Sequence, residues 1–169
     1  DEGLRQNYFD GSGISEYFAW LTRQDMWDKA EQMLKLVSRN IDALSPDEQS
    51  QYHVEVAQVA ARKGDIKKAE SEFRRALEIN PANGNALIAH ATFLTQQKKY
   101  VEAELLYMRA EAVSRVEKQA LLGRAQLYIQ MQDYSAALTQ LRSVLQKFPD
   151  MVHLKDNIES LENILKTQG

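Results

Sequence analysis

The chain has 169 residues, with 21 Lys and Arg against 24 Asp and Glu, a formal net charge of −3 and no cysteine. The missing thiols exclude disulfides, cysteine metal sites and thiol nucleophiles, and the acidic balance argues against nucleic acid, whose binders carry a basic excess or stripe. Seven Gly and three Pro are too few for an all-β sandwich or barrel, which needs a turn every ~8–12 residues, so the composition points to an all-helical protein.

Residues 1–10 read as a lead-in. The chain begins with Asp1 rather than Met, so it is expected to be a mature form or a fragment from which an upstream signal or anchor was removed. Apolar runs reach only about five residues, as at Tyr17-Phe18-Ala19-Trp20-Leu21, far short of the ~18 of a membrane-spanning helix. No membrane span is predicted within the chain.

Residues 11–49 read as an atypical first repeat that ends in an insertion. Ala30 lies 39 residues before Ala69, five more than the spacing found further on. Phe18 stands where later copies have Ala, so this repeat is expected to pack atypically or to be splayed. It also holds both tryptophans, Trp20 and Trp27, with Tyr17 nearby. Two readings of Trp20 and Trp27 stay open: core of a repeat that has lost its small residues, or anchors of a second interface. The insertion contains Ser45-Pro46-Asp47-Glu48. Ser45 with Glu48 fits a capping box and Pro46 suits a first helical position, which predicts an early start to the next helix.

From residue 50 the pattern repeats every 34 residues. Ala57, Ala91 and Ala125 share one register position; Ala69, Ala103 and Ala137 share another; Phe73, Tyr107 and Leu141 a third; Ala76, Ala110 and Val144 a fourth. Each copy reads as two amphipathic helices. Residues 51–63 stop at Gly64, 66–78 stop before Asn80-Pro81, and the later pairs fall at 85–97 with 100–112 and 119–131 with 134–147. The repeats are 50–83, 84–117 and 118–151. Alanines let two helices approach closely, and a lone hairpin buries its apolar face only by stacking on neighbours. In 152–169, Leu154, Ile158, Leu161 and Leu165 form one helical face. It is either a cap for the last repeat or a contact with a second copy.

Catalytic chemistry finds no support. His53, His90 and His153 are scattered, so no metal site is predicted. Phosphate-cradling glycine loops and nucleophile elbows are absent, so neither a catalytic residue nor a cofactor is predicted. On the outer helices, acidic residues alternate with Lys and Arg, as in Lys67 to Arg75, which reads as a solvated face.

The recurring small residues, the aromatic at 73 and 107, and Pro81 with Pro149 make the chain resemble the tetratricopeptide repeat (TPR) family. It departs where His53, Leu87 and Leu121 replace a usual Trp. The resemblance implies an all-α, right-handed α-solenoid of antiparallel helix pairs, about four repeats plus a C-terminal capping helix. It also implies a concave groove lined by the first helix of each pair. The groove positions are Gln51, Val54 and Gln58; Asn85, Ile88 and Thr92; Gln119, Leu122 and Gln126. They read as amides flanking an aliphatic stripe, although Val54, Ile88 and Leu122 have an equal claim to be helix-packing residues.

Function follows from the resemblance as an expectation. The chain is expected to be a non-enzymatic scaffold that binds a protein or peptide segment in this groove, within a larger assembly, for which family analogy suggests bacterial envelope machinery. Periplasmic or membrane-anchored placement is favoured slightly over cytoplasmic. A self-associating structural module (a homo-oligomer) and a regulatory repeat domain of a larger enzyme are the alternatives. Family members that clamp acidic chaperone C-termini place Lys, Asn, Asn, Lys and Arg where this chain has Val54, Gln58, Ala89, Gln119 and Gly123, which leaves no cation for a terminal carboxylate, so that partner is not expected.

Overall fold

The computed structural model describes residues 11–168; the lead-in expected at 1–10 lies outside them. Among the described residues there are nine α-helices, one 3-10 helix and no strand. They are α1 (Gly11–Arg23), α2 (Trp27–Val37), the 3-10 helix Ser38–Ala43, α3 (Pro46–Arg62), α4 (Ile66–Ile79), α5 (Gly84–Gln96), α6 (Tyr100–Glu111), α7 (Glu117–Gln130), α8 (Tyr134–Lys147) and α9 (Leu154–Gln168). The chain divides into two compact units between Ala89 and His90, inside α5.

In the first unit, α1 carries Ile14, Phe18 and Leu21 on one face at helical spacing. Phe18 and Leu21 join Ala30 and Leu34 of α2 and Val59 of α3 in one apolar cluster. The large Phe18 is thus fully accommodated, while α1 touches α2 more sparsely than α3 touches α4. The expected capping box opens α3. Ser45 Oγ accepts from the Glu48 N–H at 3.4 Å, and the Glu48 carboxylate accepts from the Ser45 N–H at 2.7 Å, with Pro46 in the first turn. The 3-10 helix Ser38–Ala43 precedes the expected insertion and links α2 to it, an element the sequence did not predict.

Gly64 turns the corner between α3 and α4 at φ +80°, and Asp65 caps α4 by accepting from the Lys68 N–H at 3.1 Å. The hairpin closes over Ala57, Ala69 and Ala76, all wholly buried, with Phe73 beside them. At its far end, Ser50 Oγ donates to the Ala76 carbonyl at 2.8 Å and accepts from Asn83 Nδ2 at 2.9 Å. Asn83 Oδ1 in turn accepts from the Ala86 N–H at 3.1 Å. Two side chains therefore satisfy a carbonyl in the last turn of α4 and an amide in the first turn of α5.

In the second unit, Ala103 and Ala110 of α6, Ala120 and Ala125 of α7 and Ala137 of α8 are all buried. The core cluster joins Ala125 and Ala137 to Leu138, Leu141, Val144, Met151, Leu154 and Leu161. Asp133 repeats the role of Asp65 and caps α8 through the Ala136 N–H at 3.0 Å. The apolar face of α9 lies on this cluster, with Ile158 and Leu165 packed at its edge, and Arg142 pairs with Glu162 at 2.6 Å. That face is covered within the chain, as a cap requires.

Candidate interaction site

The predicted groove residues of the first unit lie on α3 and α5. Asn85 Nδ2 donates to Gln51 Oε1 at 3.3 Å, and Gln51 Nε2 donates to Glu55 Oε1 at 3.3 Å. Amides one repeat apart are thus joined in a row, with Asn85 exposed and Gln51 and Gln58 half-buried. Val54 and Ile88 are buried, so these two aliphatic positions pack helix against helix and present no free stripe. In the second unit, Thr92, Gln119 and Gln126 are exposed, and Leu122 is half-buried against the core cluster. Thr92 Oγ1 lies 3.1 Å from the Tyr107 hydroxyl.

The two tryptophans part company. Trp27 packs against the Phe18 cluster, donates from Nε1 to Asp25 at 2.9 Å and has the Arg62 guanidinium 5.8 Å from its ring centroid. Trp20 is 47% exposed and stacks on Tyr17, with centroids 5.8 Å apart and planes 9° from parallel. On α1, residues 14, 18 and 21 share the core face, while 17 and 20 lie on its flank, about a quarter turn round the helix. The aromatic group is therefore half core and half surface.

The sequence reading passed over Glu55. It is 1% exposed, Ser15 and Gln51 hydrogen-bond it, and its Oε2 has no partner. Burial pushes its carboxyl up to about 7, against smaller lowering effects of Ser15 and Gln51. The available signal was a Glu set between Val54 and Val56 on a helix that buries most of its length. Also in this unit, His53 Nδ1 lies 2.6 Å from Glu72 Oε2 and is shielded from solvent.

A polar seam runs through the second unit. Arg124 pairs with Glu111 at 3.2 Å and donates to Gln140 at 3.0 Å. Tyr128 donates to Glu104. Burial raises the Glu111 carboxyl, and burial followed by the Glu104 hydrogen bond pushes the Tyr128 hydroxyl up to about 12. An open depression of about 390 Å³ beside it is lined by Tyr128, Asp133, Ser135, Thr139 and Gln140. Among the described residues no group of three or more His, Asp or Glu is placed to hold a metal ion. None of the described helices is long and apolar enough to cross a membrane.

Antiparallel helix pairs at a 34-residue period, alanines at the crossings and left-handed corners between partners define an all-α helical repeat of the tetratricopeptide class. Residues 41–140 match the family model described as the Cilia and flagella-associated protein 70 middle TPR-like domain. The match takes in more than half of the chain, and the chain belongs to that family. It is 36% identical over 87 residues to Protein O-mannosyl-transferase Tmtc1 of Drosophila melanogaster, covering 51% of this chain and 10% of that protein. The chain therefore spans about a tenth of that curated relative's length. It is similar to the crystal structure of BtubC (BKLC) from P. vanneervenii, at TM-score 0.77 and 18% identity over 96% of this chain and 78% of that one. It is also similar to the first TPR of Spaghetti (RPAP3) bound to HSP90 peptide SRMEEVD, at TM-score 0.59 and 18% identity over 71% of this chain and 98% of that one.

Proposed function

We propose that this chain is a non-catalytic interaction module that holds a segment of a partner protein mainly through uncharged contacts, within a larger assembly. The observation that carries this reading is the hydrogen bond from Asn85 to Gln51, which aligns amides one repeat apart. Side-chain amides both donate and accept, so such a row matches a peptide backbone. Gln58 extends it in the first unit, and Thr92, Gln119 and Gln126 offer the same chemistry in the second. Val54 and Ile88 serve by packing beneath it.

The peptide SRMEEVD carried by the Spaghetti relative is acidic at its end. Here Val54, Gln119 and Gly123 stand where clamping members of the family place cations, and Gln58 and Ala89 where they place Asn, which favours an uncharged segment. The Tmtc1 match favours a second reading beside this one, a repeat module carried by a larger enzyme.

Capture from the native extract by the wild-type chain and by a Gln58→Arg, Gln126→Arg variant tests the binding reading. The variant is expected to lose the captured partner at unchanged melting temperature. Wild-type capture is expected to persist between about 50 and 500 mM salt, because few charges are screened. Retention of every partner by the variant, or steep loss with salt, overturns it.

A further inference from the structure

Helix α6 buries Ala103, Leu106, Tyr107 and Ala110 on one side. Its other side carries Val101, Leu105 and Met108, which are 74%, 57% and 50% exposed, followed by exposed Ala112. Spacings of four, three and four residues place these side chains in one stripe along the helix. The neighbouring copies serve as an internal control. One repeat earlier the same positions are Lys67, Ser71, Arg74 and Glu78; one repeat later they are Ser135, Thr139, Arg142 and Gln146. All eight are polar and exposed. Only this copy turns an apolar stripe outward, although the outer helices read from sequence as solvated. Contiguous exposed apolar surface of this kind marks an interaction site.

The geometry points to a second copy of this chain as the occupant, packed antiparallel about a two-fold axis through the α6 stripe. Such an interface is self-complementary, each residue meeting its counterpart twice. Setting the axis near the middle of the stripe brings Leu105 against Met108 of the copy and Val101 against Ala112 of the copy. The same register brings exposed Glu102 beside Arg109 of the copy, and Arg109 beside Glu102, on one flank. Opposite charges thus meet at both ends of the pair. On the other flank, Glu104 and Glu111 are engaged within their own chain by Tyr128 and Arg124, which blunts their mutual repulsion. A depression of about 570 Å³ between α5 and α6, lined by His90, Leu94, Leu105 and Leu106 among others, adds apolar surface beside the stripe. One helix face buries less than the roughly 1,200 Å² of a stable dimer, so the association is weak and dependent on concentration.

Sedimentation equilibrium of the purified chain from about 10 µM to 1 mM tests this, a range that reaches weak contacts. The wild-type mass is expected to rise toward two chains. Leu105→Glu, at an exposed site, is expected to keep the melting temperature and stay at one chain throughout. Glu102→Arg and Arg109→Glu are each expected to weaken association about tenfold, and the double reversal to restore it. The reversal reads the register without touching the apolar stripe, so it stands even if Leu105→Glu fails to fold. A wild type that stays at one chain, a folded Leu105→Glu that associates normally, or a double reversal that restores nothing overturns the assignment.

Discussion

Gly123 and Tyr107 share one space between α7 and α6: a Cβ built on Gly123 meets Tyr107 Cε1 at 2.3 Å and Cζ at 2.8 Å. Tyr107 is buried and its hydroxyl sits by Thr92, so the ring is held where it is. Mid-helix glycine ordinarily costs roughly 0.5–1 kcal/mol relative to alanine. Here the sign reverses. Gly123→Ala is expected to lower stability by roughly 1–3 kcal/mol, seen as an earlier urea midpoint. Tyr107→Leu, which copies Leu141 of the next repeat, is expected to relieve most of that loss in the double variant. Additive losses would show that the two residues do not compete.

Glu55 makes stability depend on pH. The folded chain holds its proton up to about pH 7, while an unfolded carboxyl releases it near 4.5. Between those values the native state binds the extra proton, so stability falls as pH rises through the window and levels off above it. Glu55→Gln removes the buried charge. It is expected to exceed the wild type by up to about 3 kcal/mol at pH 8 and to match it near pH 4, below the unfolded value, by urea unfolding at the two pH values. Equal gains at both pH values would mean that the benefit is not protonation.

The left-handed corner recurs in all four hairpins but is glycine in one. Gly64 has φ +80°, while Asp25, Lys98 and Gln132 adopt φ 57°, 59° and 61°. A side chain in that region costs roughly 1–2 kcal/mol. Lys98→Gly and Gln132→Gly are each expected to raise stability by up to about 1 kcal/mol, and Gly64→Ala to lower it by about as much. Thermal melts of the three variants check both directions at once.

Trp20 and Trp27 are expected to respond differently to truncation. Trp20→Ala, at a stacked surface position, should shift stability by no more than about 0.5 kcal/mol. Phe18→Ala, two residues away on the core face, should cost roughly 3–5 kcal/mol. Trp27→Ala should fall between, since it loses half-buried packing and the bond to Asp25. Acrylamide should quench Trp20 emission more strongly than that of Trp27, read in the two single-tryptophan variants.

Most of the helix boundaries were legible because they rest on local chemistry. Gly64, Asp65, Pro81 and the Ser45–Glu48 box act within a few residues of themselves, and the helices start and stop beside them. The candidate site was legible only in part. Gln51 and Asn85 were identified by register and do hydrogen-bond. Val54 and Ile88 shared that register yet are buried, because sequence spacing says which way a side chain faces and not how closely the next helix approaches. The α6 stripe was present in the 34-residue comparison, but it emerges only when the outer faces of successive copies are set side by side.

By itself the sequence determined the period, the helix pairs, the alanines at their crossings and the stops between them, because each depends on one side chain's own size or backbone preference. Tertiary structure alone decided which apolar residues are covered. It buried Val54, Ile88 and the carboxyl of Glu55, set the Tyr107 ring against Gly123, and left Trp20 and the Val101–Met108 stripe facing outward. The reason is that burial belongs to a pair of surfaces, and the second surface lies on another helix, distant in sequence.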